Sequence, residues 1–267
     1  MLLFAAPGMA AAQPAADQAR ATLLTPHDLG VMGLASLGTI ALSTLDSRLA
    51  DRFADSATHA HTPALDRSSR RASVFTETVY MISGGLVYGI AHAAGGRTTE
   101  AVALHATSAV IGGALSIQVV RGFLGRARPF VVDSTRERSG DDQYDFKIFK
   151  GFSSYDYRSF PSMHAMASFA VASALAQEMR YRDARGRQVV TPVLYTLAAI
   201  PGLSRLILNE HWTSDVALGA VIGIVAGQRA VGFTHMHPDN RLDHRFLRAG
   251  IMRSNGRTSI VLLPSRS

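Results

Sequence analysis

Six long stretches without Asp, Glu, Lys or Arg restrict the fold of this chain more than any other feature of its sequence. They cover residues 29–45, 78–96, 101–120, 163–177, 188–204 and 216–228. Several are shorter than the roughly 20 residues of a membrane-spanning helix, so polar flanks or tilt must complete them. The pattern predicts an all-α fold, a membrane-embedded bundle of about six helices.

Composition supports helices in a membrane and leaves one alternative open. Charged residues make up 18% of the chain, less than the quarter or so found in soluble globular domains. Glycines at packing intervals, Gly85 with Gly89 and Gly219 with Gly223 and Gly227, predict close approach of helices in lipid. A mean hydropathy of only +0.12 keeps open a soluble all-helical protein whose core helices are apolar on every side.

The net charge and the absence of cysteine narrow the chemistry. The formal charge of +7 comes mainly from arginine and suits an anionic membrane surface or an anionic substrate. No Lys- or Arg-rich run of the kind that binds nucleic acid is present, so we expect no nucleic-acid partner. Without cysteine there is no disulfide framework, thiolate zinc site or cysteine nucleophile.

The polar segments divide the chain into three regions. Residues 1–25 resemble the end of a secretory signal peptide but lack its basic start, so a disordered terminus is the alternative. Residues 26–233 hold all six apolar stretches and form the predicted helical domain. Residues 234–267 form a polar, Arg-rich tail, in which Asn255 and Gly256 lie between apolar runs and predict a small hairpin.

The first chemical motif contains two arginines at the end of the third apolar stretch. Arg121 and Arg128 are seven residues apart, nearly two helical turns, and Pro129 marks the exit from the helix. The two guanidinium groups then share a face and suit the oxygens of a phosphoryl group. A basic collar at a membrane interface is the alternative interpretation.

The second motif, Phe160-Pro-Ser-Met-His164, opens the fourth apolar stretch. Pro161 and Ser162 favour a helix start, whose first backbone N–H groups can bind an anion. Ser162 adds a hydroxyl donor, and His164 can protonate a leaving oxygen because imidazole titrates near neutral pH. A histidine with a purely structural role is the alternative for this motif taken alone.

The third motif contains Ser204-Arg205, then His211 and Asp215. His211 and Asp215 are spaced i, i+4, so on a helix the carboxylate can hold one ring nitrogen and leave the other free to attack. Arg205 supplies a further phosphate donor. A surface ion pair is the alternative for His211 and Asp215 alone.

Together the three motifs resemble the signature of the type 2 phosphatidic acid phosphatase (PAP2) superfamily. That signature reads Lys, six residues, Arg-Pro; then Pro-Ser-Gly-His; then Ser-Arg, five residues, His, three residues, Asp. Nine of its eleven named residues match here. The departures are Arg121 in place of lysine and Met163 in place of glycine, and Met163 brings a bulky side chain to the predicted anion site.

The resemblance implies a mechanism without cofactor or metal. His211 attacks phosphorus and becomes a phosphohistidine, Asp215 orients it, and His164 protonates the departing alcohol. The equatorial oxygens are expected to bind Ser162, the N–H of Met163 and three arginines: Arg121, Arg128 and Arg205. The motifs contain too few carboxylates for a two-metal site.

The expected substrate is a phosphomonoester or diphosphate, above all of a lipid such as phosphatidic acid, phosphatidylglycerol phosphate or polyprenyl diphosphate. The expected location is a bacterial inner membrane with the site facing the periplasm, since the basic residues 180–187 and the tail would then lie inside. Alternatives are a soluble periplasmic acid phosphatase of the same superfamily acting on small phosphate esters, a vanadate-dependent haloperoxidase, and a membrane protein that binds phospholipid headgroups without hydrolysis. The oligomeric state is left open.

Overall fold

The computed structural model describes residues 24–53, 62–133, 141–237, 240 and 243, and the backbone of 249–254 and 257–262. Most of the predicted signal peptide and much of the tail lie outside these residues. Ten α-helices are described: α1 Pro26–Ser43, α2 Asp46–Phe53, α3 Pro63–Ala72, α4 Glu77–Ala93, α5 Arg97–Leu124, α6 Pro129–Asp133, α7 Lys150–Ser153, α8 Met163–Tyr181, α9 Arg187–Ile207 and α10 Thr213–Met236. Short 3-10 helices occupy Asp142–Tyr144 and Tyr155–Tyr157.

The six long helices α1, α4, α5, α8, α9 and α10 coincide with the six uncharged stretches, so the predicted all-α bundle is confirmed. Helix α8 lies at its centre and packs most extensively against α10, with α5 and α9 on its other sides. The buried core joins α5, α8 and α10 through small and medium-sized apolar side chains, among them Val110, Ile117, Met166, Ala170 and Val231.

The glycine prediction is confirmed in one helix and is wrong in the other. A Cβ on Gly219, Gly223 or Gly227 of α10 would come within 2.4, 2.3 and 2.6 Å of a backbone oxygen of the α8 segment. Glycine at these positions therefore lets the two helices approach backbone to backbone. A Cβ on Gly85 or Gly89 of α4 would meet no atom within 4 Å.

Large apolar side chains cover the outside of the bundle, as in a protein surrounded by lipid. Exposed examples lie on five of the long helices: Leu34, Leu37, Leu86, Ile90, Leu115, Val119, Val189, Leu197 and Met236. Among the described residues, three helices (α5, α9 and α10) are long and apolar enough to cross a membrane, and up to five spans result if the bent pairs α1–α2 and α3–α4 each count as one. Helix α8, which lies at the centre of the bundle and carries Glu178 and Arg180, is not among these candidate spans.

Two sharp bends bring polar residues to the same end of the bundle. Helices α1 and α2 meet at 67° and α3 and α4 at 55°. The first bend places Asp46 inside the protein, and the second places the carbonyl of Ser73 beside α8. The ends of α5 and α9 and the starts of α8 and α10 lie at this end as well.

The predicted hairpin is present in the tail. Strands β1 Ala249–Ser254 and β2 Arg257–Leu262 pair antiparallel, with Ser254 opposite Arg257. Two residues separate the strands, the commonest length for such a connection.

Candidate active site

The three sequence motifs, which span almost a hundred residues, meet at one end of the bundle. His211 lies two residues before α10, Ser162 directly precedes α8, Arg205 lies in the last turn of α9, and Arg128 follows α5. All four side chains are buried. The fold therefore collects a histidine, a hydroxyl and two guanidinium groups in a region screened from bulk water.

Asp215 stands behind His211. Its Oδ2 is 3.5 Å from Nδ1 of His211, long for a hydrogen bond but close enough to orient the ring. The same Oδ2 accepts from the backbone N–H of Trp212 at 2.9 Å and from the hydroxyl of Ser159 at 2.5 Å. Asp215 thus caps the start of α10 while it faces the imidazole, which leaves Nε2 of His211 directed away from the carboxylate.

The imidazole of His211 is held in its neutral form. Burial, and then the positive charge of Arg128, lower its pKa to about 3, against the opposing effect of Asp215. A neutral ring keeps a lone pair on the nitrogen that does not face Asp215. That lone pair is what a nucleophilic histidine requires.

Glu210 joins two of the predicted phosphate ligands and was not anticipated from the sequence. Its Oε2 lies 2.8 Å from Nη1 of Arg128 and 2.9 Å from Nη2 of Arg205. The hydroxyl of Tyr155 donates to the same oxygen at 2.9 Å. This carboxylate oxygen therefore marks a point on which both guanidinium groups converge, as they would on a phosphate oxygen.

Three buried side-chain atoms at this point have no hydrogen-bond partner within the described part of the chain. Two are donors, the hydroxyl of Ser162 and Nε of Arg205, and the third is Nδ1 of His211, from which Asp215 is 3.5 Å away. Unpaired donors are rare inside proteins because each one costs about 1–3 kcal/mol. A pair of them beside two guanidinium groups fits an oxyanion ligand.

The backbone N–H of Ser162 donates to the carbonyl of Asp215 at 3.0 Å and is therefore occupied. Met163 begins α8, and its side chain is buried in the core beside Met166. The bulk that was expected beside the anion is thus directed into the bundle.

Arg121, at the end of α5, donates from Nε at 2.9 Å and from Nη2 at 2.5 Å to the side-chain oxygen of Gln118.

His164 faces the arginines from the first turn of α8. Burial, followed by the positive charges of Arg205, Arg128 and Arg121, lowers its pKa to about 4. Its Nε2 lies 3.1 Å from the carbonyl oxygen of Ser73, an acceptor, so this nitrogen carries the proton of the neutral ring. Nδ1 remains as the nitrogen that can exchange a proton.

Arg126 is a second residue that sequence reasoning missed, although it lies inside the first motif. It is almost completely buried and donates from Nη1 to Oδ1 of Asp215 at 2.5 Å and from Nη2 to Oδ2 of Asp46 at 2.8 Å. Three aromatic rings surround its guanidinium at 5.4–5.8 Å: Phe146, Phe160 and Trp212. The sequence does not show that Arg126 is buried beside Asp215, a predicted catalytic carboxylate. Only the three-dimensional structure shows this.

Residues 101–239, just over half of the chain, match the PAP2 superfamily. They include every site residue that the motifs predicted. The chain belongs to the PAP2 superfamily. The resemblance read from the three motifs is confirmed.

Part of this PAP2 protein is similar to a lipid phosphatase. A lipid A 1-phosphatase from Porphyromonas gingivalis is 37% identical over 70 residues, which are 26% of this chain and 15% of the relative. The matched part is therefore only a small share of the relative's length. No solved structure matches the chain.

Several contacts connect the PAP2 segment to residues outside it, and two of them involve side chains of the site or of its support. Asp46 pairs with Arg126, and the carbonyl of Ser73 contacts His164. Both come from the bent helix pairs that precede residue 101. In this PAP2 protein the surroundings of the site are completed by helices beyond the matched family segment.

Proposed function

We propose that this chain is a phosphatase that hydrolyses a phosphomonoester or diphosphate of a lipid through a phosphohistidine intermediate. The observation that carries the proposal is the buried imidazole of His211, with Asp215 3.5 Å from its Nδ1 and with Arg128 and Arg205 convergent on one point beside it. Nucleophile, orienting carboxylate and anion donors are the parts that phosphoryl transfer requires. In this proposal the guanidinium groups stabilise the negative charge of the transition state, a role that metal ions have in other phosphatases.

In the proposed first step, Nε2 of His211 attacks phosphorus and the bond from phosphorus to the leaving oxygen breaks. The leaving oxygen takes a proton from Nδ1 of His164. Arg128, Arg205 and the hydroxyl of Ser162 stabilise the charge on the remaining oxygens, with Arg121 adding charge from the edge. Asp215 stabilises the ring of His211 as it gains positive character.

In the second step, a water oxygen attacks phosphorus, the N–P bond breaks, and the water proton passes to Nδ1 of His164. The products are inorganic phosphate and the regenerated enzyme. His164 thus acts as acid in the first step and as base in the second. Arg126, held by Asp46, fixes Asp215 through both steps as a positioning residue.

A rim of exposed apolar side chains supports a lipid substrate. Between the end of α5 and Tyr155, five large side chains are 41–57% exposed beside the site: Phe123, Phe146, Ile148, Phe149 and Phe152. A group of exposed apolar side chains beside a pocket marks a surface that contacts lipid or the apolar part of a ligand. An amphiphile can therefore place its phosphate in the pocket while its tail stays with the rim and the membrane.

We further propose that the site faces the periplasm. The connection between α8 and α9 lies at the other end of the bundle and carries exposed arginines, among them Arg182 and Arg185. Basic connections favour the cytoplasmic side.

We also propose residues 26–233 as the catalytic domain, preceded by a signal peptide or a disordered terminus.

The test is phosphate release by the purified full-length protein in detergent. The panel contains phosphatidic acid, phosphatidylglycerol phosphate and a polyprenyl diphosphate. Lipid A is added because the chain is similar in part to a lipid A 1-phosphatase. Para-nitrophenyl phosphate is added as a substrate of general acid phosphatases. The wild type should release phosphate from at least one lipid, and labelled phosphate should be trapped on the protein when the reaction is stopped by alkaline denaturation, because the N–P bond of phosphohistidine is stable to base and labile to acid. His211→Ala should lose both signals, while His237→Ala, at the other end of α10, should keep them.

Each rival predicts a different result with the same preparation. Full turnover by His211→Ala would overturn the mechanism. Binding of lipid without release of phosphate would indicate a headgroup-binding protein. Halogenation that depends on vanadate and peroxide would indicate a haloperoxidase.

A further inference from the structure

We infer that His105, Glu178 and His235 form a binding site for a divalent metal ion of the Zn²⁺ class, separate from the phosphate pocket. The three residues come from three different core helices, α5, α8 and α10. Their ligand atoms all lie within 4.8 Å of one another. The inference goes beyond the proposed phosphatase activity and does not depend on it.

The distances place the ligand atoms around one point. Nδ1 of His105 is 2.5 Å from Oε1 of Glu178, and Nε2 of His235 is 3.1 Å from Oε2. Ligands about 2.0–2.2 Å from Zn²⁺ stand roughly 3.3 Å apart in a tetrahedral arrangement. The pair that is 2.5 Å apart must open by about 0.8 Å to reach that spacing, and no pair of the three ligand atoms is more than 4.8 Å apart.

Each proposed ligand is held by a further group that fixes its direction. Nε2 of His105 is 3.1 Å from Oδ1 of Asp243, which is the outer hydrogen bond that metal-bound histidines use. Arg182 donates to Glu178 at 2.8 Å. The ring of His235 stacks on Tyr181, with centroids 4.4 Å apart and planes 3° from parallel.

The ligand set indicates the class of metal. Two imidazoles and one carboxylate favour borderline ions such as Zn²⁺ or Co²⁺ over Mg²⁺, which prefers oxygen ligands alone. His105 and Glu178 are buried, and His235 is partly accessible at the end of α10, so an ion can enter from that side. Three protein ligands leave a fourth position for water.

The site lies far from the phosphate pocket. His105 precedes Arg121 by 16 positions on the same helix α5, which corresponds to about 24 Å at 1.5 Å per residue. A metal ion there would join α5, α8 and α10 at the end of the bundle where the tail begins. Its role is therefore structural, and binding should raise stability rather than turnover.

The experiment uses the full-length protein in detergent, with any affinity tag removed and the protein treated with EDTA. Co²⁺ is added first, because its visible absorption reports nitrogen and oxygen ligands directly, and Zn²⁺ is added in competition. We expect one Co²⁺ per chain that Zn²⁺ displaces, and a rise in the melting temperature. His235→Ala should weaken Zn²⁺ binding by more than about tenfold.

His237→Ala is the matched control, because His237 lies two residues further on and stacks on Phe233 outside the cluster. It should bind the metal like the wild type. Phosphate release at 25 °C should be the same in His235→Ala and the wild type, which separates this inference from the proposed function. Absence of Co²⁺ absorption in the wild type, or equal affinity in His235→Ala, would show that the cluster is an ion-pair network alone.

Discussion

Arg126 is a charged residue that is almost completely buried, and its role depends on the two carboxylates that it contacts. Carboxylates from Asp46 and Asp215 flank it, so two negative charges share one guanidinium. Breaking a buried pair of this kind leaves an uncompensated charge and is strongly destabilising. The geometry of Asp215, and through it the ring of His211, therefore depends on a residue 80 positions before Arg126.

Asp46→Asn should lower kcat by about 10- to 100-fold with little change in KM, because the shape of the side chain is kept while the charge that holds Arg126 is lost. Steady-state phosphate release measures the split. Asp183→Asn, which alters an exposed ion pair with Arg187, is the control and should behave like the wild type. A rise in KM alone would contradict a positioning role for Asp46.

Glu210→Gln should strengthen the binding of phosphate. Removal of the carboxylate charge releases Arg128 and Arg205 to an incoming anion, so inorganic phosphate should inhibit at a several-fold lower concentration. Inhibition constants measured at one ionic strength provide the check. If inhibition weakens instead, Glu210 serves to hold the two arginines in place.

The pH dependence follows from the two histidines. His211 is neutral above about pH 3, and the protonated form of His164 is lost as pH rises through about 4. The basic limb of kcat/KM should therefore lie below about pH 6.5, the ordinary pKa of imidazole. A bound phosphate offsets the arginine charges, so the basic limb of kcat should lie at higher pH.

Rates across the pH range should be compared with the activity recovered after return to pH 7, which separates titration from inactivation. Basic limbs of kcat and kcat/KM that coincide at about pH 6.5 or above would contradict the proposed effect of the arginines.

The sequence could predict residues that meet at one end of the bundle, because each motif marks a helix end and its spacing is local. Pro161 and Ser162 mark the start of α8, and His211 with Asp215 marks the start of α10. Glu210, Arg126 and Asp46 were missed for the opposite reason. Their importance comes from contacts between distant segments, which no local pattern encodes.

At the level of elements, the contact between α8 and α10 determines where the site residues stand. Gly219 lies against the backbone of Ser162, so the start of α8 rests on the first turns of α10. The sequence predicted such a contact for Gly219 and also for Gly85, and only the first exists. Spacing identifies a face of small residues, but it does not say whether another helix covers that face.

Gly219→Ala should lower both activity and stability. Its Cβ would lie 2.4 Å from the carbonyl oxygen of Ser162, and overpacking of this kind costs about 1–3 kcal/mol. Thermal unfolding in detergent and phosphate release should fall together. Gly85→Ala, with no atom near its Cβ, is the matched control and should stay as stable as the wild type or become more so. Equal effects of both substitutions would argue against the close contact.

For the whole molecule, the proposed periplasmic orientation of the site can be tested by labelling from one side of the membrane. The chain contains no cysteine, so single cysteines can be introduced without background. Lys150→Cys lies at the site end and Arg185→Cys at the other, both exposed. In intact spheroplasts a maleimide that does not cross the membrane should label Lys150→Cys and spare Arg185→Cys. The reverse pattern would place phosphate release in the cytoplasm.

The bend between α1 and α2 also affects the length of chain that the proposed activity requires. A fragment that begins at residue 97 keeps every motif but lacks Asp46, so Arg126 would lose one of its two counter-charges. We therefore expect the smallest active fragment to be longer than residues 101–239, by which the family is recognised. For the same reason, we expect sequence changes in α2, remote from every motif, to lower activity through Arg126 although they touch none of the proposed catalytic residues.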